Sequence, residues 1–346
     1  MLNKTQPFIP SLADQAHVEA VNDDTIRRAA GLLKAGELVA FPTETVYGLG
    51  ADAENVAAVA QIYATKGRPD NHPLIVHLAE PDDVYFWTSG VSEKAQRLLH
   101  RFAPGPLTLI LPRAAHINTA VTGGQDTIGL RIPAHPVAQQ LLRAFKEQQN
   151  GRGIAAPSAN RFGHVSPTTA QHVADDFGGR VAMILDGGET NYGIESIVIA
   201  LNAEHPVLLR PGSIPLPELE ETLGEKLLLP TQAPRDTLPR ASGTLPSHYA
   251  PYTPAHLVSS QNLIQEYNTL QAKGKRVAIL THGTTLSCPD SAKIILPADA
   301  TAYAHGLYAA LRALDRIGAD IILIEAVPDD EAWRAVRDRL KRAATQ

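Results

Sequence analysis

Apolar positions recur along this chain with two periods, and the way those periods alternate predicts strands interleaved with helices. Ile26, Ala29, Ala30 and Leu33 fall on one face of a helix predicted over residues 25–35, capped by Asp24 and stopped by Gly36. A short buried strand over 37–41 ends at Pro42. Val56, Val59, Ala60 and Tyr63 define a second helix over 55–65, which Gly67 ends. In 74–78 the period drops to two, with Leu74, Val76 and Leu78 on one face and Ile75 and His77 on the other. Residues 127–132 repeat this, separating Ile128, Leu130 and Ile132 from Thr127, Gly129 and Arg131. Ser92 caps a helix running to Phe102, and Pro104-Gly-Pro106 parts it from a strand over 107–111. Further strands are predicted over 154–156, 181–185, 196–200 and 207–210. The outcome is an α/β fold: a mixed, twisted sheet with flanking helices.

The texture changes after Gly212. Pro215, Pro217, Pro230, Pro234, Pro239, Pro246 and Pro251 punctuate a segment whose one periodic piece is a short helix over 216–223. Such a stretch acts as a tether or a lid. Beyond it, helices over 263–272, 303–317 and 331–342 alternate with strands over 276–280 and 321–325, a rhythm that predicts a small Rossmann-like domain. Thr281-His-Gly-Thr-Thr285 lacks G-x-G-x-x-G, so a dinucleotide site there is not supported. The predicted division is 20–213 for a first domain, 214–253 for a Pro-rich linker and 254–346 for a smaller C-terminal domain.

Composition narrows the function classes. A length of 346 residues favours two domains, and 44% hydrophobic with 19% charged residues fits a globular chain. The formal net charge of −5 argues against a general polyanion binder and leaves a local basic cleft open. The lone Cys288 excludes a disulfide framework and points to a reducing compartment. Met1 to Pro10 does not form a basic-plus-apolar leader, and no apolar run approaches a membrane span, so a cytoplasmic protein is expected.

The candidate chemistry lies at the ends of the apolar runs, where α/β proteins present ligand groups: Phe41-Pro-Thr-Glu-Thr-Val-Tyr-Gly-Leu-Gly50, Lys66-Gly-Arg-Pro69 and Pro157-Ser-Ala-Asn160. There is no Cys/His metal spacing and no G-x-x-x-x-G-K loop. Lys66 and Arg68 suit a polyphosphate, one as a point charge and one as a bidentate fork; taken alone they also fit a solvated basic turn. Thr45 could bond an amino-acid ligand, while Thr43–Tyr47 reads equally as a helix cap and tight turn. Arg131 needs an anionic partner, which is either a structural carboxylate or a ligand carboxylate, and His77 is either a ligand group or a core histidine. Ser158 lacks the G-x-S-x-G elbow of a hydrolase nucleophile, so hydrogen bonding to phosphate or ribose fits it better.

With these segments in order, the chain resembles the threonylcarbamoyl-AMP synthase family: a YrdC-like domain with a central cleft, plus the extra C-terminal domain of the longer, Sua-type members. The resemblance runs from about Asp24 to Gly212 and resumes at His248-Tyr-Ala-Pro251. It implies synthesis of threonylcarbamoyl-adenylate from L-threonine, bicarbonate or CO2, and ATP, with release of pyrophosphate. It also implies, as a partner, the downstream enzyme complex that moves the threonylcarbamoyl group onto the adenosine beside the anticodon of certain tRNAs; direct tRNA binding stays open. Thr45, His77, Arg131, Ser196 and the main chain of Ala156 would surround L-threonine. Lys66, Arg68, His72, Thr127, Ser158, Asn160, Ser166 and Arg210 would line the ATP side, with Tyr249 folding back over the nucleotide. Catalysis would fall to Lys66, Arg68, Ser158 and Asn160. Mg2+ would ride on the ATP phosphates, and no protein metal site is expected. Two departures stand out: Ala156 replaces a Ser common in the family, and residues 241–247 lack the usual Met and Lys. A carbamoyl-adenylate-forming enzyme and a non-catalytic RNA-binding module are the alternatives, the latter weakened by 5% aromatic content.

Overall fold

The computed structural model describes residues 17–234, 238–282 and 292–345. Residues 1–10, residues 283–285 and Cys288, singled out above, lie outside the described residues. Strand β1 (Val18–Ala20) and helix α1 (Asp23–Lys34) lead into the hairpin of β2 (Val39–Pro42) and β3 (Tyr47–Asp52). Next come α2 (Val56–Lys66), β4 (Ile75–His77), α3 (Val84–Trp87), α4 (Glu93–Phe102), β5 (Leu107–Pro112) and β6 (Thr127–Arg131). Helix α5 (Pro136–Gln149), β7 (Ile154–Ala155), α6 (Ala170–Phe177), β8 (Met183–Asp186), β9 (Ile197–Ala200) and β10 (Val207–Arg210) complete the first part. Its strands form a ten-stranded mixed sheet in the order β1-β8-β2-β3-β7-β4-β6-β5-β9-β10.

Local chemistry explains most boundaries. Asn22, not Asp24, caps α1: its side chain accepts from the amides of Asp24 and Thr25, while Thr25 returns a bond to the Asn22 amide. Asn55 caps α2 by accepting from the Ala57 and Ala58 amides, and Ser92 caps α4 by accepting from the Ala95 amide. Strand β3 departs from the predicted turn and cap. It pairs antiparallel with β2, Phe41 opposite Gly48 and Val39 opposite Gly50. Gly48 and Gly50 read locally as turn residues, but they sit in the sheet: Phe41 and Ile154 fill the space a side chain at Gly50 would take, and Gly48 lies against the Ala156 methyl. Helix α5 lies outside the predicted elements. His135 caps it, Pro136 opens it, and Val137, Ala138, Leu141, Leu142 and Phe145 join one buried cluster with Ile26, Ala29, Ala30 and Leu33 of α1. The opposite side of the sheet buries Val59, Ile62, Leu98, Val173 and Phe177.

Helix α7 (Leu216–Leu223) buries Leu219 and Leu223 in that second cluster, so the Pro-rich segment begins as packed structure. Beyond it stand β11 (Ala255–Val258), α8 (Ser260–Ala272), β12 (Val277–Thr281), β13 (Lys293–Ile295), α9 (Ala300–Arg316), β14 (Ile321–Glu325) and α10 (Arg334–Ala343). Their strands make an all-parallel four-stranded sheet, β11-β14-β12-β13, as expected of a Rossmann-like unit. The two sheets share packing. Val46, Val165, Ile194 and Tyr249 lie in one apolar cluster with Tyr303, Leu307, Tyr308 and Leu311 of α9. Arg312 of α9 reaches Asp176 of α6 at 2.6 Å, both largely buried. No described helix is long and apolar enough to cross a membrane.

A Cβ at Gly50 would stand 2.8 Å from Phe41, 2.9 Å from Ile154 and 3.0 Å from the Val39 carbonyl oxygen. Gly50→Val should therefore destabilise the fold by ~1–3 kcal/mol through overpacking. A urea unfolding curve checks this, and an unchanged midpoint would contradict the packing described.

Candidate active site

Strands β4 and β6 run parallel with His77 beside Arg131, which sets both side chains on one face at the middle of the sheet. Arg131 is 4% exposed and donates from Nη2 to Glu44 Oε1 at 2.6 Å and from Nε to the Gly105 carbonyl at 3.4 Å. The other Glu44 oxygen accepts from the Ala134 amide at 3.0 Å. The carboxylate partner of Arg131 within the chain is thus Glu44, a structural one. Thr45 sits in the β2–β3 hairpin loop, where Thr43 Oγ1 donates to the Val46 carbonyl at 2.7 Å and lies 2.8 Å from Thr45 Oγ1. The Ala156 amide donates to the Ile75 carbonyl at 2.9 Å, tying its main chain to β4. Burial, reinforced by Arg131, pushes the His77 imidazole down to about 3, and its Nδ1 has no hydrogen-bond partner among the described residues.

The second wall begins where α2 ends. Gly67 takes φ +64°, a left-handed turn that sends Lys66 inward and starts the chain back at Arg68. Lys66 Nζ donates to the carbonyls of Ser158 at 2.6 Å and Asn160 at 2.5 Å. Burial, then Arg68, lowers its basicity well below the usual lysine range. Arg68 Nη2 donates to the Pro73 carbonyl at 2.8 Å and to Ser242 Oγ at 3.0 Å, with Phe162 5.4 Å from its guanidinium. Burial brings Arg68 down to about 10, which leaves it charged at neutral pH. Arg210 donates from Nε and Nη2 to the carbonyl and hydroxyl of Ser196, at 2.9 and 3.0 Å, and from Nη1 to the Ser242 carbonyl at 3.0 Å. Ser196 Oγ also lies 2.8 Å from Thr108 Oγ1 of β5.

These walls line one narrow cleft. Among the residues singled out from the sequence, Thr45, Arg68, His77, Arg131, Ala156, Ser158, Ser196, Arg210 and Tyr249 line it. Thr127 lies in an adjoining shallow recess that Arg240 and Ser242 also line. Lys66, Asn160, Ser166 and His72 are not on the cleft wall. Lys66 lies behind it on the two carbonyls just named. Asn160 spends its amide on the Arg161 and His164 carbonyls, at 2.7 and 2.8 Å. Ser166 Oγ donates to Glu195 Oε1 at 2.5 Å, and the His72 ring packs edge-on to Phe162 at 5.3 Å.

Three side chains to which the sequence alone assigns no role also shape the cleft. Glu195 lines it, fully buried, and receives Ser166, Tyr308 at 2.9 Å and Arg339 at 2.8 Å. Burial alone would raise its carboxyl, but Arg339 and Arg210 outweigh this and hold it below the usual range. Ser242 and His248 come from the Pro-rich segment. Burial pushes His248 down to about 3. The only sequence signal for Glu195 is its place before Ser196 at a strand entry; its partner Arg339 stands 144 residues away.

Residues 31–212 match a family model described as telomere recombination, Sua5_yciO_yrdC. Residues 214–345 match one described as the threonylcarbamoyl-AMP synthase C-terminal domain. A threonylcarbamoyl-AMP synthase of Pyrococcus abyssi is 42% identical over 335 residues, spanning 94% of this chain and 96% of that one. One from Bacillus subtilis is 41% identical over 356 residues, spanning 99% and 98%. The crystal structure of P. abyssi Sua5 complexed with L-threonine superposes with a TM-score of 0.86 at 40% identity, covering 95% of this chain and 97% of the other. This chain therefore belongs to the threonylcarbamoyl-AMP synthase family, a family of nucleotidyltransferase-type enzymes.

Proposed function

We propose that the protein makes L-threonylcarbamoyladenylate from L-threonine, bicarbonate or CO2, and ATP, releasing pyrophosphate. The product would supply the enzyme complex that installs threonylcarbamoyl on the adenosine next to the anticodon. The observation that carries this reading is a single cleft with two kinds of wall. Arg131, His77, Thr45 and Ser196 can grip a small amino acid, and Arg68 and Arg210, the latter bonded to Ser196, supply cations to the same cleft for phosphates. We assign residues 20–213 to the catalytic domain, 214–253 to a linker that covers the cleft and 254–346 to the C-terminal domain.

In this scheme the threonine amine attacks the carbon of CO2, loses a proton and becomes an N-carboxylate. A carboxylate oxygen then attacks the α-phosphorus of ATP, and the bond to the pyrophosphate oxygen breaks in line. The chain's share is positioning and charge. Arg131 would hold the threonine carboxylate while Glu44 keeps the guanidinium fixed. His77, neutral at working pH, would offer its unpartnered nitrogen to the threonine amine or hydroxyl. Arg68 and Arg210 would balance the charge gathering on the phosphates. Glu195 is already taken up by Arg339, so Mg2+ would be bound through the ATP phosphates, whose charge it would offset. Tyr249 and the segment around it would keep water from the carbamate and the mixed anhydride.

Pyrophosphate release measured with and without L-threonine and bicarbonate tests the reading: turnover should require both. Turnover with carbamoyl phosphate in their place would replace it. Arg68→Ala should lower kcat by about 10²–10³, the loss of ~3–4 kcal/mol of transition-state stabilisation. Near-normal turnover would remove Arg68 from the chemistry. Arg131→Lys should weaken threonine binding by about 1.5–3 kcal/mol, since an ammonium cannot reproduce the guanidinium fork, and leave the KM for ATP unchanged. Isothermal calorimetry with threonine reads this directly.

Acid should loosen the fold through the two buried histidines of the cleft. His77 and His248 both fall to about 3 when folded and return to about 6.5 when unfolded. Between these values the unfolded chain binds more protons, so stability rises with pH and is lost on acidification. From pH 7 to pH 5 each should remove about 2 kcal/mol. Urea midpoints at the two pH values measure it, and His77→Gln with His248→Gln should shrink the difference.

A further inference from the structure

We infer that Arg339, on the last helix of the C-terminal sheet, is a positioning residue for the ATP side of the active site. This rests on the proposed function. Arg339 is 0% exposed, and every polar contact of its guanidinium but one is with the part of the chain that carries the cleft. Nε donates to Glu195 Oε2 at 2.8 Å, and Nη2 to the carbonyls of Glu195 at 3.4 Å and Pro211 at 3.0 Å. Nη1 goes to its neighbour Asp338 at 2.8 Å. Glu195 immediately precedes Ser196, and Pro211 immediately follows Arg210. One planar fork thus pins together the two backbone segments that present Ser196 and Arg210, which are themselves hydrogen-bonded.

The same guanidinium lies 5.1 Å from the centre of the Tyr249 ring, which stacks at 5.9 Å on Tyr308 of α9. Tyr249 is 1% exposed with φ +60°, a left-handed backbone rare for a tyrosine, so the surrounding packing has to hold it there. Arg342, one turn nearly further along α10, donates to the Leu245 carbonyl and accepts at its own carbonyl from the His248 amide at 3.3 Å. Helix α10 therefore fixes Arg210 and Tyr249 together. Most of the threonine wall is anchored elsewhere: Arg131 is held by Glu44 and Gly105, and His77 by its strand, which leaves Ser196 as the one threonine group that Arg339 reaches.

The test uses the full chain, with wild-type turnover on L-threonine, bicarbonate and ATP as the reference; absence of wild-type turnover would defeat the proposed function and not this inference. Arg339→Lys keeps the charge and loses the fork. We expect its KM for ATP to rise and kcat to fall, together ~10–100-fold in kcat/KM, with the loss of threonine affinity by calorimetry, felt through Ser196 alone, smaller than the change in the constant for ATP. A merely structural role would lower the active fraction and leave both Michaelis constants where they were. Tyr308→Phe, which deletes one hydroxyl donor to Glu195, gives a second reading: a smaller shift in the same constant for ATP. Wild-type kinetics in Y308F, together with an R339K whose activity follows only its folded fraction, would overturn the inference.

Discussion

One buried carboxylate organises the junction on which this molecule depends. Glu195 receives a hydroxyl from Ser166, a phenol from Tyr308 and a guanidinium from Arg339, so both of its oxygens are satisfied by groups from a loop and two helices. Breaking such a pair by removing one partner typically costs 3–5 kcal/mol, because the other charge stays buried. That sensitivity makes the docking of the four-stranded sheet specific. An apolar contact would tolerate a slide of an ångström or two; a fully engaged carboxylate does not. The Arg312–Asp176 pair and the tyrosines of α9 add area around it.

The second constraint is the gathering of like charge. Lys66, Arg68 and Arg210 are each nearly fully buried, and Arg68 itself lowers the basicity of Lys66. Main-chain carbonyls of Ser158, Asn160, Pro73, Ser196 and Ser242 take most of their donors. Neutral oxygens stabilise a cation less than a carboxylate does. The arrangement therefore keeps an attraction for anions while remaining folded, which a cluster of protein carboxylates would have cancelled.

Much of the fold was legible in the sequence because its elements carry clean local signals. Helix α7 and the strands β10 and β14 sit where periodicity places them, and Asn55, Ser92 and Gly67 end their helices by side-chain or glycine chemistry that a sequence displays. Strand β3 was hidden because its glycines answer to packing: Gly50 to Phe41 of the paired strand and to Ile154, about a hundred residues on, and Gly48 to Ala156. The candidate site was legible to the extent that its residues lie at strand ends: His77 and Arg131 alternate with core positions, and the sheet register then sets them side by side. Its supporting shell was not legible. Glu44 looked like part of a turn, Glu195 like a strand flank, and Arg339 like one charge among several on a polar helix. Each acquires its role only from a partner that the topology brings from 87 or 144 residues away.

Ser242 shows what the Pro-rich segment does to that reservoir of positive charge. Its hydroxyl meets Arg68 and its carbonyl meets Arg210, so a single residue without formal charge bridges the two guanidinium groups. The Pro-rich segment is thus tied to both guanidinium groups by a hydroxyl and a carbonyl alone, and at this point it brings no opposing charge to them.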